Sequence, residues 1–195
     1  MESLNQICAV VDVQGFATKS HFYPRELSVI GKNIEVNMEF DTRQNAKYLP
    51  YAEQKTIHYQ TQKIHGLTLR PSYEARAGLK HANRLRRVLW RIYKSVVTED
   101  KPYFGCKNQQ LAEILEEEGI PFIDLDSVAP RLRDLDKLNG GCAWLCKYHT
   151  VTWAPHLTCA ERKSRYLWSW AQTQIQIEVV RVGVEQMQLT ENGTV

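Results

Sequence analysis

Ile7-Cys8-Ala9-Val10-Val11-Asp12-Val13 is the stretch on which the fold turns. It is a short apolar run rich in β-branched residues, and Gln14-Gly15-Phe16 follows it. It therefore reads as a buried strand ending in a turn. Residues 26–31 and 34–40 read as two further strands. In the second of these, Ile34, Val36, Met38 and Phe40 alternate with Glu35, Asn37 and Glu39, the pattern of a half-exposed strand. Three neighbouring strands predict an antiparallel meander. A long helix is expected over about 73–97, where Leu85, Val88, Leu89, Ile92 and Val96 share one face. Then come a strand at 101–106, a helix at 108–118 ended by Gly119, a strand at 121–125 and a helix at 160–173. The order β-β-β-α-β-α-β-α predicts an α/β fold, a mixed β-sheet flanked by helices on both faces.

The chain has 195 residues, 43% hydrophobic and 24% charged. That balance excludes a disordered, collagenous or fibrous chain, and the length suffices for a full core. A single domain is expected over 1–182, with 183–195 as a flexible polar tail. The apolar stretches are only a few residues long, where a membrane span needs about 20. The N-terminus, Met1-Glu2-Ser3-Leu4-Asn5-Gln6, carries no basic region. The expected setting is thus intracellular, cytoplasmic or nuclear, without a membrane. A net charge of +3 names no partner; the placement of charges does more.

Three of the five cysteines, Cys142, Cys146 and Cys159, lie within eighteen residues, near His149 and His156. An odd count without a secretion signal argues against a disulfide framework. Cys146-x2-His149 followed by Cys159 reads as a partial zinc site, because thiolates and imidazole suit a tetrahedral, borderline-soft ion. The sequence alone names Cys142 or His156 equally well as a fourth ligand. The plainer alternative is that these are ordinary buried cysteines. Cys8 and Cys106, inside strands, read as core.

Arg76, Lys80, Arg84, Arg87, Arg91 and Lys94 recur at steps of 4, 4, 3, 4 and 3. On a helix they share an arc of roughly 80°, opposite the apolar face. Only Glu74 supplies an acid to that helix. Like charges without interleaved acids repel, and a polyanion relieves them, so the row reads as a phosphate-tracking stripe for nucleic acid. The competing reading is a solvated face paired with Glu113, Glu116, Glu117 and Glu118. His65 reads as a turn histidine bonded locally, and His81 as solvent-facing or a phosphate contact.

Gln62-Lys63-Ile64-His65-Gly66-Leu67-Thr68 resembles the "IHGIT" segment of DEDDh exonucleases, and Asp12 matches their first acid. The resemblance implies a ribonuclease-H-like fold. An active relative clamps two metal ions with four carboxylates. Here the expected Asp-x-Glu is Asp12-Val13-Gln14, and the later Asp falls at Leu111 or Ala112. His156 and Glu161 keep the spacing of the family's last pair. An active, divergent magnesium-dependent enzyme would use Asp12, Glu26, His156 and Glu161.

The altered set resembles more closely the Maelstrom domain, the ribonuclease-H-like relative in the piRNA pathway that carries a Glu-Cys-His-Cys zinc site. Tyr23-Pro24-Arg25-Glu26-Leu27, Cys146-Lys147-Tyr148-His149 and Cys159-Ala160 carry the likeness, which spans about residues 7–175. It implies structural zinc on Glu26, Cys146, His149 and Cys159. It also implies binding of single-stranded RNA and a role in small-RNA or transposon-silencing complexes, or in their handling by a mobile element or virus. Small-RNA pathway proteins are the implied partners. Family members are credited with metal-independent endoribonuclease activity; in this chain His65, His156, Lys107 or arginines would have to carry it. A protein-interaction scaffold without nucleic-acid affinity is the remaining alternative.

Overall fold

The apolar run that begins at Ile7 continues past Val13. β1 spans Ile7–Ala17, and the Gln14-Gly15-Phe16 segment, expected as a turn, is a bulge inside it, with the register shifting between Gln14 and Gly15. A Cβ at Gly15 would meet the Tyr23 carbonyl oxygen at 2.3 Å, so the bulge needs glycine for close approach. β2 (Phe22–Gly31) and β3 (Ile34–Asp41) complete the antiparallel meander. The computed structural model describes residues 3–71, 78–138 and 159–191, with side chains as far as 182.

Within those residues, helix α1 (Tyr51–Gln60) and a π turn at Thr61–His65 follow the meander. Then come β4 (Lys80–His81), α2 (Leu85–Val96), β5 (Tyr103–Cys106), α3 (Gln109–Glu117), β6 (Phe122–Asp124), α4 (Leu132–Leu138) and α5 (Ala160–Glu191). The six strands form one mixed sheet in the order β4-β3-β2-β1-β5-β6, with β5 parallel to β1 and β6 parallel to β5.

Alternation along β1, interrupted by a register shift between Ile7 and Ala9, separates two cores. Val11 and Val13 pack with Leu27, Val29, Leu85, Leu89, Leu111 and Leu115 under α2 and α3. Ile7 and Val10 pack with Leu125, Leu135, Tyr166 and Leu167 under α4 and α5. Burial on both faces explains why β1 is apolar almost throughout. Each buried leucine contributes about 1.5–3 kcal/mol.

The helix expected over 73–97 is shorter. Gly78 has φ +87°, a left-handed conformation that ends helical continuity. Lys80 and His81 then pair with Phe40 and Asp41 as β4. The His81 ring accepts from the Asn83 N–H at 3.0 Å, capping the short turn that leads into α2. Residues 72–77, with Arg76, lie outside the described residues. At the other end, α5 runs to Glu191, through the segment expected as a tail from Gly183. A lone glycine costs a helix only about 1 kcal/mol, and no proline follows it. Residues 192–195 lie outside the described residues. None of the described helices is long and apolar enough to cross a membrane.

Candidate functional site

Period-2 alternation turns Asp12 and Gln14 away from Val11 and Val13, toward α5. Their neighbours across β2 are Ser28 and Glu26. Asp12 is fully buried, and both of its carboxylate oxygens are engaged. Asn108 Nδ2 donates to Oδ1 at 3.1 Å, and the Lys163 ammonium stands 2.7 Å from Oδ2. Asn108 also caps α3 by accepting from the Leu111 N–H and donates to the Val13 carbonyl. It thereby locks the start of α3 to the end of the apolar run.

Burial pushes the Asp12 carboxyl up to about 6, against the opposing pull of Lys163 and Asn108, which favour the ionised form. Lys163 is itself buried on the inner face of α5. Its charge is tethered to the chain, so it is a resident cation on Asp12. A divalent ion reaching Asp12 from the α5 side meets that ammonium first.

Glu26, one strand over, is buried beside the start of α5. The Ala160 N–H donates to its Oε2 at 3.4 Å. A carboxylate at a helix N-terminus complements the partial positive charge there. Ala160 follows Cys159, so this bond holds Glu26 against the segment that carries the other expected zinc ligand within the described residues, and both residues are buried. Cys146 and His149, together with Cys142 and His156, lie outside the described residues. Among the described residues no group of three or more His, Cys, Asp or Glu side chains converges as a metal cage.

The remaining candidates are dispersed. His65 is buried under Phe16, with ring centroids 4.7 Å apart. Its Nδ1 accepts from the Leu67 N–H at 3.1 Å, a local turn bond. Glu161 accepts from Arg165 one turn on, and Arg165 also pairs with Glu35. Lys107 is held by Asp126 at 2.9 Å and by the Ala129 carbonyl at 3.2 Å. The other sheet cysteines are core: burial raises the Cys8 thiol to about 11 and the Cys106 thiol to about 12, far from reactive.

On the opposite face, Arg84, Arg87, Arg91 and Lys94 are exposed along α2. Lys80 from β4 joins Arg84, Arg87 and Arg91 around a groove of about 350 Å³ between α2 and β3. Among the described residues no acid pairs with these four. Glu117 and Glu118, at the end of α3, are met instead by Arg86. Lys94 lies beyond the groove, 5.3 Å from the Trp90 ring centre. A larger cleft of about 780 Å³ opens between the β1–β2 turn and α3. It takes in none of Asp12, Glu26, His65 or the four groove cations.

No family model, curated protein or solved structure matches the chain. The geometry of its own residues therefore carries the functional argument. Two of those residues, Lys163 and Asn108, were not legible as site residues. Lys163 lies one helical turn after Cys159, the only hint that it faces the sheet. Asn108 shows the ordinary N-cap signature, which hides its second bond to Asp12.

Proposed function

We propose that this chain is a ribonuclease-H-like domain of Maelstrom type that binds single-stranded RNA. Zinc on Glu26, Cys146, His149 and Cys159 stiffens the site where a two-metal exonuclease holds magnesium. The antiparallel meander followed by parallel strands, with helices on both faces, supports the fold reading. Asp12 neutralised by Lys163 supports a centre without two-metal chemistry.

The observation that carries RNA binding is the row Lys80, Arg84, Arg87 and Arg91, exposed and without acidic partners among the described residues. Four guanidinium and ammonium groups on one rim repel one another, and phosphates neutralise them. Complexes that silence transposons with small RNAs, or the handling of such complexes by a mobile element or virus, are the proposed setting.

Titrating a labelled single-stranded RNA at low salt, without added magnesium, tests the reading. Wild type should bind without shortening the strand. Arg84→Glu with Arg87→Glu should lower affinity at least tenfold for every sequence alike, since phosphate contacts position and do not specify. Equal binding by wild type and the double variant would sink the proposal.

A further inference from the structure

The cation row is not laid over a polar surface. Beneath it, Val36 and Met38 of β3 and Val88 and Ile92 of α2 form an apolar floor. Val36 and Met38 belong to the alternating face of β3, and Val88 and Ile92 lie on the α2 flank nearest the arginines. Val36, Met38 and Val88 are only partly covered as they pack against the core, which leaves apolar area open in the groove, and such area is unfavourable in water. The groove, about 350 Å³, falls near the small end of ligand pockets, which run roughly 300–1,000 Å³.

We infer that this groove seats one or two unpaired bases while Lys80, Arg84, Arg87 and Arg91 hold the flanking phosphates, so the ligand is a single strand read by base burial and not a duplex. The inference rests on the proposed RNA binding and makes it more specific. In a duplex the apolar faces of the bases are stacked inside, out of reach of a side-chain floor. In a single strand a base can be turned out and laid on the floor, with an arginine plane stacked over it.

Four probes of matched charge test this on the wild-type protein: an oligouridylate strand, the same strand with abasic sites throughout, an RNA duplex, and polyglutamate. The uridylate strand should bind about tenfold or more tighter than the abasic strand, the effect of one stacked base. It should also bind tighter than the duplex and polyglutamate. Met38→Gln, which leaves every cation in place, should shrink the preference for uridylate over abasic strand at least threefold. Equal affinity for the uridylate and abasic strands would overturn the base groove and leave phosphate tracking standing. Polyglutamate competing as well as RNA would assign the groove to an acidic protein segment and overturn it also. No binding of either nucleic-acid strand would instead remove the RNA reading on which the groove depends.

Discussion

The two faces of the sheet treat positive charge in opposite ways. Under α5, Lys163 is buried and bound to Asp12 at 2.7 Å. Beside α2, Arg84, Arg87 and Arg91 stand in solvent without acids among the described residues. A buried ion pair repays its desolvation only when both partners are present. Exposed cations pay little for hydration and remain available to a polyanion. The same chemical feature thus closes one face and opens the other.

The comparison breaks most visibly if the α5 face lacks the proposed zinc. Elemental analysis of folded protein should give one zinc per chain. Cys146→Ala or His149→Ala should lose the metal and with it most of the domain's stability, because structural zinc binding is coupled to folding at about 10–16 kcal/mol. Well-folded protein with less than about half an equivalent would contradict the Glu26, Cys146, His149 and Cys159 set.

A smaller effect isolates Asp12 and Lys163. Asp12→Leu leaves the ammonium buried with no oxygen partner and should cost about 3–5 kcal/mol in denaturant unfolding. Asp12→Leu with Lys163→Met replaces both charges by apolar side chains and should fall within about 1 kcal/mol of wild type. Losses that add up in the double variant would mean that the pair is not a unit.

The same pair sets a pH dependence. Folding raises the Asp12 pKa from 3.8 to about 6, so the native state holds that proton more tightly than the unfolded chain. The contribution of Asp12 is most favourable below about pH 4, declines as pH rises through about 6, and is level above it. Relative to the double variant, wild type should lose up to about 3 kcal/mol across that window. Identical pH profiles for the two proteins would place the carboxyl in its ordinary range.

Much of this architecture is written in the sequence where periodicity is strong. The meander, β5, α3, β6 and the start of α5 follow from alternating or 3.6-residue patterns. Helices α1 and α4 do not, because Ile57 and Leu135 are the sole buried residues of each. One anchored side chain makes no stripe. The bulge at Gly15 looks like a turn from sequence, since only the opposite strand reveals why glycine sits there.

The cation row was legible as composition but not as geometry. Gly78 breaks the helix that its spacing implies, yet β4 returns Lys80 to the side of Arg84, Arg87 and Arg91. Beyond its spacing of one turn from Cys159, nothing local marks Lys163 as a lysine that points inward. Its partner lies on a strand at the other end of the chain.

Salt dependence of RNA binding tests the central claim most directly, since it counts the phosphates that the exposed cations meet. Four contacts at about −0.7 each predict a slope of about −3 in log affinity against log salt for a single strand. The Arg84→Glu, Arg87→Glu variant should show about half that slope or less, with stability within about 0.5 kcal/mol of wild type. A wild-type slope near zero, or the same slope in both proteins, would mean that the α2 face is an ordinary solvated helix and not a nucleic-acid surface.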